Sequence, residues 1–80
     1  MAYTVIRQPG FQAAIAALSR NMHPNYMVGV TWTLEHDPHV GQKISANVWI
    51  IKVLWAPVVA TIYYAINEPQ NTVYLLDVTT

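Results

Sequence analysis

The longest apolar segment of the chain constrains its fold most. Residues 48–66 read VWIIKVLWAPVVATIYYAI, 19 residues with a single charged side chain, Lys52. A membrane-spanning helix needs about 20 apolar residues, so length alone permits one. A central lysine, however, costs about 2.5–3.5 kcal/mol on insertion, and the segment is rich in the strand-forming residues Val, Ile, Thr and Tyr. Because Pro57 divides it into two pieces of strand length, the segment favours a β-hairpin.

The first 40 residues predict one strand followed by two helices. Residues 2–8 form a short strand that Pro9-Gly10 ends. The next segment carries an apolar stripe at helical spacing, made of Phe11, Ile15, Leu18 and Met22. After the interruption at His23-Pro24-Asn25, residues 25–36 carry a second stripe with Met27, Val30 and Leu34. Asp37-Pro38 ends that helix.

The second half of the chain predicts β-structure. We expect a short strand over 42–45, a turn at Ala46-Asn47, a central strand over 48–55, a turn at Ala56-Pro57, and strands over 58–66 and 72–78. The residues between the last two strands, 67–71, form a dense turn cluster. The chain is thus predicted as a single α+β domain over residues 1–80, with a helical hairpin on one face of a twisted antiparallel sheet of four to five strands. The predicted core joins two sets of side chains, Phe11, Ile15, Leu18, Val30 and Leu34 from the helices and Trp49, Ile51, Ile62, Tyr64 and Leu75 from the sheet.

Composition narrows the function classes. Hydrophobic residues make up 54% and charged residues 10% of the chain, so it does not match a disordered protein. Four basic and four acidic residues cancel, so we expect only weak binding to nucleic acid. Without cysteine or a signal-peptide pattern, the sequence favours a reducing cytoplasm.

Eight charged residues cannot cover the surface of a small domain, and apolar area must remain exposed. Because exposed apolar patches usually mark partner surfaces, we expect a homo-oligomer or a protein partner. Trp32, Trp55, Arg7 and Lys52 are the partner-binding candidates, because Trp and Arg are enriched at interfaces.

The order of elements and several motifs resemble the RelE/ParE superfamily of toxins from type II toxin–antitoxin pairs. Leu34, Asp37, Pro38, Gly41 and Ile44 are similar to the family's "L..DP..G..L" joint. Residues 48–53, 61–68 and 73–78 are similar to three of its strand motifs. The resemblance implies the fold, an antitoxin partner, and action on ribosome-bound RNA or on gyrase.

The chain departs from the ribonuclease members of this family in its cations. They are expected to carry several Arg and Lys on the concave face of the sheet, one of them on the fourth strand, where this chain has Ala60 or Thr61. They also place a further Arg, His or Tyr after the last strand, whereas this sequence ends at Thr80. The weak catalytic candidates that remain are Lys43, Lys52, Tyr63 and Tyr64. We therefore expect little or no ribonuclease activity, and the alternative is a non-catalytic, homodimeric interaction module on the same scaffold.

The remaining polar residues suggest little chemistry. His36-Asp37-Pro38-His39 contains possible metal ligands and proton carriers, but residues at this spacing do not share a helical face, so we interpret it as a helix C-terminus. Tyr63 and Tyr64 are predicted to point to opposite faces of their strand. Arg7, Lys43 and Lys52 are candidates to line one side of the sheet and receive an acidic segment, although scattered basic residues more often only solubilise. No metal site and no cofactor are predicted.

Overall fold

The computed structural model describes residues 2–18, 26–55 and 58–80. Within them lie two α-helices and five strands: β1 (Thr4–Arg7), α1 (Pro9–Leu18), α2 (Tyr26–His36), β2 (Gln42–Lys43), β3 (Trp49–Trp55), β4 (Val58–Asn67) and β5 (Thr72–Thr79). Short 3₁₀ turns cover Pro38–Val40 and Glu68–Gln70. The predicted stripe residue Met22, the interruption at 23–25 and the turn at 56–57 lie outside the described residues.

The first helix starts earlier than the sequence predicted. Pro9-Gly10 was expected to separate strand from helix, but α1 begins at Pro9 itself. A proline fits the first turn of a helix because its missing N–H has no partner there in any case.

The five strands form one mixed sheet in the order β1-β5-β4-β3-β2. Neighbours from β2 to β5 pair antiparallel, as predicted, whereas β1 pairs parallel with β5. The helices separate β1 from the other strands, so no short turn forces β1 to run against its neighbour. The predicted α+β class is confirmed, although the central strand is β4 and not β3.

One face of the sheet is covered by the helices and forms the core. Alternate residues of β4 are buried there, namely Ala60, Ile62, Tyr64 and Ile66. Phe11, Val30 and Leu34 reach them from the helices, as predicted, while Ile15, Leu18, Trp49 and Ile51 are half-buried against the same cluster. The long apolar segment supplies β3 and β4, which confirms the strand interpretation, and none of the described helices is long and apolar enough to cross a membrane.

The joint between α2 and β2 is held against the core. Leu34 and Pro38 are fully buried, and the hydroxyl of Tyr64 donates a hydrogen bond of 2.6 Å to the carbonyl oxygen of Pro38. A Cβ atom on Gly41 would overlap the Tyr64 hydroxyl and the carbonyl oxygen of Ile50. The close approach of these two groups therefore requires glycine at position 41. The backbone conformation is not the reason, because it is extended and open to any residue.

Candidate functional site

The side of the sheet that faces away from the helices is the candidate site, and we call it the open face. Its residues alternate along β3, β4 and β5 with the buried ones and pair with one another across the strands. They are Ile50, Lys52, Leu54, Val59, Thr61, Tyr63, Ala65, Tyr74, Asp77 and Thr79. The face is largely apolar or neutral, and its charged members among the described strand residues are Lys52 and Asp77.

Lys52 and Tyr63 supply the reactive groups of the open face. Lys52 is exposed and pairs with Thr61 on β4. Tyr63 is half-buried and lies between Ile50 on β3 and Asp77 on β5. Tyr74 also lies on this face and is half-buried. One ammonium, two phenols and one carboxylate can bind a polar group, but they provide little positive charge for a phosphate.

The position that carries an arginine in ribonuclease relatives, as the resemblance implies, is not basic here in either alignment. Ala60 is fully buried in the core, so a charge there would face the helices. Thr61 lies on the open face beside Lys52 and bears only a hydroxyl group. β4 therefore places a neutral side chain where a cation would stabilise the charge of a phosphate.

The two adjacent tyrosines point to opposite faces, as predicted, and this removes Tyr64 from the catalytic candidates. Its side chain has 0% exposure, and its hydroxyl is held by Pro38. Burial raises the pKa of Tyr64, and a backbone hydrogen bond with Gly41 opposes that rise only in part. A buried, neutral and fully engaged phenol positions the joint and does not meet substrate.

The basic candidates do not line one side of the sheet, so of the two alternatives that the sequence left open, a shared basic surface is not formed. Arg7 lies beside α2, in a groove of about 360 Å³ that it shares with Trp32 and Glu35. Lys43 is opposite Trp49, in the register of the helix side, whereas Lys52 lies on the open face. Successive side chains of a strand point to opposite faces of the sheet. Lys52 is three positions after Trp49, the partner of Lys43, so Lys43 and Lys52 lie on opposite faces.

The two tryptophans proposed as partner contacts differ in accessibility. Trp55 is 3% exposed and belongs to the core, so the expectation that its side chain contacts a partner is wrong. It closes the end of the β3–β4 layer, where a large apolar ring is stabilised by burial. Trp32 on α2 is 59% exposed and stacks on His36 at 4.2 Å between ring centroids. Trp32 is thus the accessible aromatic anchor of the pair.

The two histidines of the His36-Asp37-Pro38-His39 segment have separate surroundings. His36 Nδ1 lies 2.8 Å from the carbonyl oxygen of Trp32, which matches a residue that closes a helix C-terminus. His39 points elsewhere, and its Nε2 atom lies 2.5 Å from Oε1 of Glu68. No group of three or more possible metal-ligating side chains occurs in the part of the chain that the structure describes.

Glu68 ties His39 to Tyr3 in an exposed cluster that the sequence did not reveal. The hydroxyl of Tyr3 donates a 2.8 Å hydrogen bond to Oε2 of Glu68. This bond, and then the one with His39, hold the pKa of Glu68 below its ordinary value. The three residues are far apart in the sequence, and no spacing motif links them; only the fold places the start of β1 beside both 3₁₀ turns.

The solved structures most useful for comparison are toxins. No protein-family model matches the chain, and no curated protein matches it. A chain of the toxin–antitoxin complex RelBE2 from Mycobacterium tuberculosis is similar over 99% of this chain and 91% of its own length, with 18% identity and a TM-score of 0.70. A second similar structure is a variant of the E. coli toxin RelE, with two arginines changed to alanine, in the free state. The match covers 100% of this chain and 84% of that one, with 13% identity and a TM-score of 0.70.

A third similar structure is the archaeal RelE–RelB complex from Pyrococcus horikoshii. It is 14% identical, the match covers 99% of this chain and 94% of that one, and the TM-score is 0.68. At such identities the likeness concerns the fold alone. The chain has the fold of the RelE toxins, so the resemblance noted in the sequence is confirmed at that level.

Proposed function

We propose that this chain is a toxin-like protein of the RelE/ParE type, bound by an antitoxin in the cytoplasm and weak or inactive as a ribonuclease. The RelE fold over essentially the whole described chain supports the toxin-like part. The observation that carries the catalytic part is the charge of the open face, where Lys52 is the basic residue among the described strand residues.

RNA cleavage by proteins of this type needs a base for the 2′-hydroxyl group and cations for the developing phosphate charge. The open face offers a single lysine, whose ammonium is a point charge without the planar fork that grips a phosphate in two places. Tyr63 and Tyr74 are the half-buried phenols of this face, and Asp77 is the carboxylate that pairs with Tyr63. This donor set supports weak binding more than strong transition-state stabilisation.

An antitoxin partner is supported by two observations. Two of the similar structures are complexes of a toxin with its antitoxin, by their names. The chain also exposes large apolar side chains on both α2 and the sheet, including Val28, Trp32 and Leu54. Exposed apolar groups of this size on a domain with few charges favour a protein partner.

A growth assay tests the toxin-like role. The chain is induced alone and together with the product of the neighbouring gene, and the two products are then co-purified. Growth arrest that the neighbour relieves, with a stable complex of the two proteins, is the expected result. Normal growth without any complex would contradict the proposal.

The second candidate is a non-catalytic, homodimeric interaction module on the same scaffold. The exposed apolar groups that favour an antitoxin also favour self-association, and the balanced charges do not oppose it. Sedimentation of the purified chain without any partner, taken together with the growth assay, distinguishes the two, because an obligate module is dimeric by itself and does not arrest growth.

A further inference from the structure

The outer edge of β3 is paired over only part of its length. β2 consists of two residues, which pair with Ile50 and Trp49, and no described residue pairs with β3 beyond them on that side. The N–H of Ile44 donates to the carbonyl oxygen of Val48, so the backbone of Val48 points away from β4. Backbone direction alternates along a strand in an antiparallel ladder. Ile50, Lys52 and Leu54 therefore also direct their N–H and C=O groups outward, and β2 meets only the first of these.

The free part of this edge borders an apolar groove. The groove has a volume of about 400 Å³ and lies between α2 and β3. Gly29, Val30 and Thr33 line it from the helix, and Ile51 and Val53 line it from the strand. When a strand adds to a sheet edge, main-chain hydrogen bonds provide affinity and pockets for alternate side chains provide specificity. This edge offers both features.

We propose that a second copy of this chain pairs with the edge, β3 against β3, antiparallel about a two-fold axis at Val53. In this register, Lys52 of each copy faces Leu54 of the other, and both residues have outward backbone groups. Their N–H and C=O groups form four hydrogen bonds across the axis. The two Val53 side chains meet on the helix side, each at the groove of the other copy.

The chemistry of the edge selects a second copy over a charged partner segment. Lysine at a sheet edge normally discourages pairing, but this register never places Lys52 opposite Lys52. Leu54, which is 71% exposed, covers the aliphatic stem of that lysine. The chain has equal numbers of basic and acidic residues, so two copies do not repel each other. A strongly acidic segment would find a single basic residue here. The interface rests on the edge geometry and does not depend on the antitoxin-bound function proposed above; it would supply the contact surface of the homodimeric second candidate.

Leu54 allows a sharp test, because its N–H points outward and takes no part in the β3–β4 ladder. Leu54→Pro removes that donor, as prolines do at sheet edges without breaking the inner ladder. Leu54→Ala also removes the exposed end of the leucine side chain but keeps the N–H donor, so it is the matched control. By symmetry the proline removes two of the four hydrogen bonds. We expect Leu54→Pro to weaken dimerisation at least ~10-fold relative to Leu54→Ala in sedimentation equilibrium over a series of concentrations.

Circular dichroism shows whether both variants keep the native fold. If Leu54→Pro does not fold, amide hydrogen exchange of the wild type replaces it: the amides of Lys52 and Leu54 should become protected as protein concentration rises. A wild type that stays monomeric throughout would overturn the proposal, and so would a dimer that Leu54→Pro leaves intact. Protection of these amides only after addition of the neighbouring gene product would assign the edge to that partner and also contradict a second copy.

Discussion

The hydrogen bond from Tyr64 to Pro38 is the most informative single contact of the fold, and Tyr64→Phe removes it with little change in shape. The hydroxyl and the carbonyl oxygen are 2.6 Å apart, and both residues are buried. The substitution removes the bond and leaves a buried carbonyl oxygen without this donor. A lost bond with a buried, unsatisfied partner costs about 1–3 kcal/mol.

The adjacent residue provides the control. Tyr63 is the same residue type, one position earlier, but it lies on the open face and is half-buried. Tyr63→Phe should change the free energy of unfolding by no more than about 0.5 kcal/mol, the usual range for surface substitutions. The pair thus compares one hydroxyl in the core with one hydroxyl on the open face of the same strand.

Urea denaturation measures both free energies of unfolding. We expect the midpoint of Tyr64→Phe to fall while its m-value stays that of the wild type. In a thermal scan each kcal/mol lost should lower Tm by roughly 4–8 °C for a domain of this size. Equal stabilities for the two variants would refute the claim that this bond fastens the joint between α2 and β2 to the core.

Two further predictions concern the core and the exposed cluster. Leu34→Ala should lower the free energy of unfolding by about 2–5 kcal/mol, because Leu34 is fully buried. Val28 lies on the same helix but is 64% exposed, so Val28→Ala should cost less than about 0.5 kcal/mol; urea denaturation measures both. The bonds from Tyr3 and then His39 lower the folded-state pKa of Glu68 below its ordinary 4.5, so its contribution to stability is fully present above pH 4.5 and is lost as pH falls through the lowered pKa. The stability difference between wild type and Glu68→Gln should accordingly shrink on acidification, and a difference that grows below pH 4.5 would contradict this assignment.

Much of the fold follows from local sequence patterns. The apolar stripes of both helices, the proline at position 38 and the strand-forming segments identify nearly every described element. Alternation along β4 also separates Tyr63 from Tyr64 correctly. The parallel pairing of β1 with β5 was not predictable in the same way, because it is set by the path of the chain over the sheet and not by a turn.

The candidate site was less predictable from sequence. Arg7 and Lys52 look equivalent as isolated basic residues in strands, yet register places one beside α2 and the other on the open face. Trp55 resembles an interface residue in composition but closes the core. The cluster of Tyr3, His39 and Glu68 joins distant segments, so only the tertiary structure reveals it.

Messenger cleavage on translating ribosomes tests the central claim most directly. Purified wild type and Lys52→Ala are compared at equal concentration, after circular dichroism has shown that both are folded. We predict no cleavage above background from either protein, because a single lysine on the open face cannot replace the cations that the reaction needs. Robust cleavage by the wild type that Lys52→Ala abolishes would contradict the account and place Lys52 in an active site.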